Sequence, residues 1–198
     1  MTLSHALFPT RSVFGNVLMV LAGTAFIAIA AQISIPMFPV PMTLQTLAIL
    51  MVGMTYGARL GAVTLLVYLA EGAMGLPVFA GGAAGLPYMM GPTGGFLLGF
   101  VMMAWLAGAA TEAGIADTFA PSALVMMTIS ALLYIPGIAW PMAVASAFGV
   151  EAGWIGQAFG DYYWPYFIKN FLIGDAVKAI LAAMIITGGW AVLKSRKD

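Results

Sequence analysis

The chain has 198 residues, of which 63% are hydrophobic and only 7% charged, against roughly 25% charged in a soluble domain. Seven basic residues balance seven acidic ones, cysteine is absent and His5 is the sole histidine. These counts exclude a disulfide framework, a thiol metal site and the basic surface that nucleic-acid binding needs. The apolar content runs the whole length and predicts one all-α integral membrane domain over residues 1–198.

A helix crossing the ~30 Å hydrocarbon core needs about 20 residues. The apolar runs predict six transmembrane helices, over 13–35, 42–56, 60–73, 92–110, 121–140 and 165–193. The first is read as a retained helix and not a signal peptide, because the run is too long and further spans follow. Pro36, Pro39 and Pro41 end it, since proline cannot continue the helical hydrogen-bond ladder. The second and third are short: about 14 residues reach ~21 Å, less than the core thickness. Residues 75–95, with seven Gly and three Pro, are expected to fill the missing depth. Irregular backbone at that depth must be buried in protein or line a cavity, so this outward Gly/Pro-rich loop is expected to form a pocket wall. Residues 111–120, with Glu112 and Asp117, read as an aqueous loop, and the sixth helix is expected to begin near Pro165.

Basic residues near helix ends favour the cytoplasm. Six spans put Arg11, Arg59, Lys194, Arg196 and Lys197 on one side, which predicts both termini inside. The fifth-to-sixth loop then faces outward with Trp154, Tyr162, Tyr163, Trp164 and Tyr166, rings that favour the membrane–water boundary. No Gly-rich loop ends in Gly-Lys-Ser/Thr, so any ATP hydrolysis belongs to another subunit.

Asp175 and Lys178 stand beside the apolar run 179–193. An ionised side chain near a bilayer centre costs ~2.5–3.5 kcal/mol on insertion scales. Helical spacing puts Phe171, Gly174, Asp175 and Lys178 on one stripe. Asp175 offers only acceptors and Lys178 only donors, which suits a small polar ligand carrying both N–H and C=O. The pair serves equally well as a self-closed clamp between helices. Gln45 lies in an apolar setting, where an interhelical hydrogen bond or a ligand contact both fit. Glu71 is expected to reach water, and Tyr88 to close over a ligand or rest at the interface. An enzyme using Asp175 as a base is disfavoured, because no second catalytic group or metal constellation accompanies it.

The run Gly75-Leu-Pro-Val-Phe-Ala-Gly-Gly82, then Gly85-Leu-Pro, then Gly91-Pro-Thr-Gly-Gly-Phe-Leu-Leu-Gly-Phe100 resembles the signature of the BioY family. Ala31-Gln-Ile-Ser-Ile-Pro36, Val40-Pro-Met-Thr-Leu-Gln-Thr46, Arg59-Leu-Gly-Ala62 and Gly174-Asp-Ala-Val-Lys178 support it. The resemblance implies the biotin-specific substrate-binding (S) component of an energy-coupling-factor (ECF) transporter in a bacterial inner membrane. Biotin would be the transported ligand, with no cofactor and no enzymatic activity. Partners would be a coupling transmembrane subunit, ABC-type ATPase subunits and the lipid bilayer. A solitary or homo-oligomeric carrier without an ATPase is the alternative. The resemblance makes Asp175 the acceptor of a ureido N–H. Lys178 would donate to the ureido oxygen or hold Asp175 ionised. Gly81, Gly82 and Tyr88 would form lid and wall. Gln45, Phe79, Phe171, Asn170 and Lys169 complete the expected set, with Lys169 the cation available to a carboxylate tail.

Overall fold

The computed structural model describes residues 12–115 and 117–195, with side chains described through Val192. His5, Arg11, Arg196 and Lys197 lie outside the described residues.

Helix α1 (Val13–Gln32) starts at Ser12, whose Oγ accepts from the Gly15 amide at 3.1 Å. It ends three residues earlier than expected, because the chain turns into a small antiparallel hairpin. Ser34 pairs with Thr43 and Ile35 with Met42, on either side of the proline loop. Helices α2 (Gln45–Tyr56) and α3 (Ala58–Ala73) follow, joined by Gly57 alone at φ 89°. That left-handed backbone is one that only glycine adopts without strain. A single turn (Ala80–Gly82) and the short helix α4 (Gly85–Met89) lead into α5 (Gly94–Glu112).

The fifth expected helix is a 29-residue segment, Phe119–Ala147. It is built of α6 (Phe119–Leu132), α7 (Tyr134–Ala139), a π turn (Trp140–Val144) and the single turn α8 (Ala145–Ala147). The last begins with a wide π segment, Phe159–Lys169, and continues as α9 (Leu172–Ser195). Pro165 therefore lies inside a helical segment and does not start one. Proline supplies no backbone N–H, and π-type winding accommodates such interruptions.

Among the described residues four helical segments are long and apolar enough to cross a membrane: Val13–Gln32, Gly94–Glu112, Phe119–Ala147 and Phe159–Val192. The two expected short helices are α2, with 12 residues, and α3, with 16. α2 contacts α1, α3, α5 and α9, and eight of its residues are buried. Apolar side chains of α1, α6 and α9 such as Phe14, Leu124 and Ile173 point outward. Lipid is as apolar as leucine, so burial does not drive these helices together; close packing does. At Gly53 a Cβ would stand 2.5 Å from the Ala104 carbonyl oxygen, and at Gly108 2.2 Å from the Ala58 nitrogen. Glycine at these positions lets α2 and α3 meet the backbone of α5.

Two charged residues expected at water are put to structural use. Glu112 ends α5 instead of opening a loop, and its Oε1 accepts from the Ala58 amide at 3.0 Å, capping α3. Thr24 of α1 donates to Glu71 Oε1 of α3 at 3.1 Å. Tyr163 is fully buried within the protein, so its ring meets neither lipid nor water. Its hydroxyl accepts from the Gln157 amide at 3.1 Å and lies 2.9 Å from the Pro141 carbonyl oxygen. Trp164 and Tyr166 are exposed, as boundary rings would be.

Candidate functional site

Asp175 falls in the first turn of α9, and Lys178 one turn later on the same face. Both are more than nine-tenths buried. Lys178 Nζ lies 2.7 Å from Asp175 Oδ1. Thr46 Oγ1 of α2 donates to the same oxygen at 3.2 Å. The Tyr134 hydroxyl of α7 donates to Oδ2 at 2.6 Å, a short charge-assisted bond. Lys178 also donates to the Thr43 carbonyl oxygen at 3.1 Å, which ties it to the hairpin after α1. Gly174 makes this approach feasible, since a Cβ there would lie 2.7 Å from Met42 Sδ. Three elements thus hold one carboxylate, which turns an expensive lone charge into a hydrogen-bonded pair.

Gln45 is buried beside this pair. Its amide nitrogen donates to the Tyr68 hydroxyl at 2.8 Å, and Tyr68 donates to the Val78 carbonyl oxygen at 2.8 Å. Its amide oxygen accepts from Thr43 Oγ1 at 3.0 Å. A relay therefore runs from the hairpin through α2 and α3 to the Gly/Pro-rich loop.

These polar groups border a cavity of about 50 Å³. Its apolar walls include Val40, Phe96, Leu97, Phe100, Leu133 and Phe171. Ala80, Tyr88 and Thr93 border it from the loop over 75–95. Tyr88 stacks on Phe79 with ring centroids 5.3 Å apart. Burial raises the Tyr88 phenol above its ordinary pKa, so at neutral pH it remains an O–H donor.

Of the ten residues singled out from the sequence, Asp175, Lys178, Gln45, Tyr88 and Phe171 line this cavity. The other five do not. Phe79 sits behind Tyr88, fully buried against Gly72 and edge-on to Tyr68. Gly81 and Gly82 have φ of 68° and 72° with open space where a Cβ would stand; their value is in bending the loop. Lys169 and Asn170 are exposed at the break before α9 and stay out of the lining. Conversely, Tyr134, Thr46 and Thr93 escaped the sequence reading. Tyr134 had one available signal, a single phenol two residues before Pro136 in a charge-free span. Among the described residues no cluster of His, Cys, Asp and Glu has the makings of a metal site.

Comparison with known proteins agrees with the motif resemblance. The profile of the BioY family matches residues 4–195. The biotin transporter BioY of Rhizobium etli is 31% identical over 174 residues, covering 83% of this chain and 87% of that protein. A probable biotin transporter BioY of Pyrococcus horikoshii is 39% identical over 84 residues, 42% of this chain and 52% of the relative. The biotin transporter BioY of Thermotoga maritima is 43% identical over 89 residues, 45% and 53% of the two chains. The match thus spans about half the length of two relatives and most of the third. A crystal structure of the S-component for biotin from an ECF-type ABC transporter has the same fold, with a TM-score of 0.61, 25% identity and 96% of each chain covered. An apolar multi-helix bundle around one buried ion pair, matched by this profile along nearly all its length, belongs to the BioY family.

Proposed function

We propose that the protein is the biotin-capturing S component of an ECF-type vitamin transporter. It takes biotin from the outer face and delivers it inward together with a coupling membrane subunit and ABC-type ATPase subunits, its own termini lying in the cytoplasm. The observation that carries this reading is the incomplete saturation of the Asp175–Lys178 pair. A carboxylate offers about four lone-pair sites and an ammonium three donors. Asp175 uses three of its sites, for Lys178, Thr46 and Tyr134. Lys178 uses two of its donors, for Asp175 and Thr43. One acceptor site, on Asp175 Oδ2, and one donor, on Lys178 Nζ, remain on the buried pair. The cyclic urea of biotin presents an N–H next to a C=O, the complementary arrangement. The aromatic and aliphatic walls suit the sulfur ring and the alkyl chain.

A cavity of about 50 Å³ holds only a few waters. Admission of a vitamin therefore requires the Gly/Pro-rich loop around Ala80 and Tyr88 to move outward, and closure behind the ligand excludes water from the ion pair. Specificity follows from that exclusion, because a buried polar group left unpaired penalises an analogue lacking its partner.

Biotin titration of the detergent-solubilised protein against Asp175→Asn tests the assignment. Losing a hydrogen bond to a charged group costs ~1.5–3 kcal/mol, about a 10- to 150-fold loss of affinity. Unchanged affinity in a folded variant removes Asp175 from the site. Uptake measured in hosts with and without the coupling and ATPase subunits tests the partnership. Undiminished uptake without them returns the solitary carrier.

A further inference from the structure

Gln45 borders the cavity with an amide whose two ends differ, since the nitrogen donates and the oxygen accepts. Which way that amide faces is decided outside the cavity. The Val78 carbonyl oxygen can only accept, so Tyr68 spends its one hydroxyl proton on it, at 2.8 Å. Toward Gln45 that hydroxyl has only a lone pair to offer, and Gln45 turns its nitrogen to it, also at 2.8 Å. The amide oxygen then falls to Thr43, whose Oγ1 donates to it at 3.0 Å and accepts from the Gln45 backbone amide at 3.2 Å. Every proton along this chain has one consistent direction. A flipped amide would set its oxygen against the lone pairs of Tyr68.

The far end of the chain is held from two sides. Tyr68 is fully buried in α3 and stays off the cavity lining. Val78 precedes Phe79, which lies edge-on to Tyr68 with ring centroids 5.6 Å apart. Gln32 of α1 donates to the Phe79 carbonyl oxygen at 3.1 Å, so α1 and α3 grip the same stretch of loop. At the near end, Lys178 donates to the Thr43 carbonyl oxygen. The orientation of Gln45 is thus set from the loop stem and delivered beside the ion pair. One Nε2 hydrogen and one Oε1 lone pair of Gln45 have no partner among the described residues, and these are what it can offer a bound molecule.

We propose that Tyr68 is a positioning residue for ligand capture: it touches no ligand and fixes which face of the Gln45 amide the ligand meets. An amide already held in place gives up no rotational freedom on binding, and it penalises a ligand whose donor and acceptor are exchanged. This assignment rests on the biotin reading above, with Gln45 a contact of the captured biotin.

Biotin titration of wild type, Tyr68→Phe, Gln45→Met and the double variant in detergent tests it. Phenylalanine keeps the ring against Phe79 and deletes the hydroxyl. Methionine keeps the length of Gln45 and deletes its amide. Each single variant is expected to lose about 3- to 10-fold in affinity. Tyr68→Phe added to Gln45→Met should cost less than about twofold, since no amide is left to orient. A merely structural role would carry the full loss into the double variant, and that result overturns the proposal. Wild-type affinity in either single variant does the same. A fluorine NMR measurement needs no deletion of the hydroxyl and covers the case in which Tyr68→Phe does not fold. With 3-fluorotyrosine at position 68 of the full chain, the resonance should shift on biotin binding and stay still when Gln45→Met is saturated with biotin. No shift in the first, or the same shift in the second, overturns the proposal and leaves the ion-pair site standing. Wild type that does not bind biotin refutes the biotin reading itself, and this assignment with it.

Discussion

Replacing Tyr134 by Phe removes one oxygen atom from a buried site and tests how the carboxylate is held. Among the described residues the Tyr134 hydroxyl is the only donor to Asp175 Oδ2, at 2.6 Å, while Oδ1 has both Lys178 and Thr46. Without it, Oδ2 keeps its charge share but loses its partner. Lys178 still has one free donor, and the low-energy response is for the ammonium to straddle both oxygens. The ion pair then closes on itself, and a ligand must reopen it before its N–H and C=O find partners. A hydrogen bond to a charged group is worth ~1.5–3 kcal/mol, and the lysine's response recovers part of that for the empty protein. The full cost reappears on binding, so biotin affinity should fall by about 10-fold or more. Stability should change less than affinity. Calorimetric titration of the monodisperse variant in detergent measures the first, and thermal unfolding the second. A folded Tyr134→Phe protein with wild-type affinity would refute the claim that this hydroxyl keeps the pair open.

Three further outcomes follow from the packing and the donor count. Gly108→Ala should destabilise by ~1–3 kcal/mol or more, because its Cβ would press on backbone atoms of Gly57 and Ala58. Gly188→Ala in α9, where a Cβ meets nothing within 4 Å, is the unfolding control and should be neutral or stabilising. Glu112→Ala should cost ~0.5–2 kcal/mol as a lost helix cap. Glu112→Gln, which still accepts from the Ala58 amide, should cost less; equal melting of the two would deny the cap. Iminobiotin, whose cationic guanidinium head has donors but no carbonyl acceptor, should bind far more weakly than biotin because it faces the Lys178 ammonium. Competition at equal concentrations would contradict the proposed pairing.

Some of the site was legible because it broke the local pattern. Asp175 and Lys178 are conspicuous in an apolar run, and helical spacing already placed Phe171 and Gly174 on their stripe. The hydroxyl residues were not conspicuous. Thr64, Thr111 and Thr187 spend their hydroxyls on backbone carbonyls of the preceding turn of their own helices. Nothing local distinguishes them from Thr46, which reaches across to Asp175. Lys169 carried the charge a carboxylate would want, yet the break before α9 leaves it outside the cavity.

Composition alone determined that this is a helical membrane protein, because a chain this poor in charge has no water-compatible surface and its backbone must satisfy itself within helices. Its Gly/Pro runs determined where the helices are interrupted, and its motifs pointed to the family. Only tertiary structure decided which interruption faces the cavity, which carboxylate caps a helix, and which hydroxyl completes the ion pair. The physical reason is range. Helix formation and breakage depend on neighbours within a turn or two, whereas Tyr134 and Asp175 meet across 41 positions and Thr46 and Asp175 across 129. Contacts at that separation exist only once every helix has found its place.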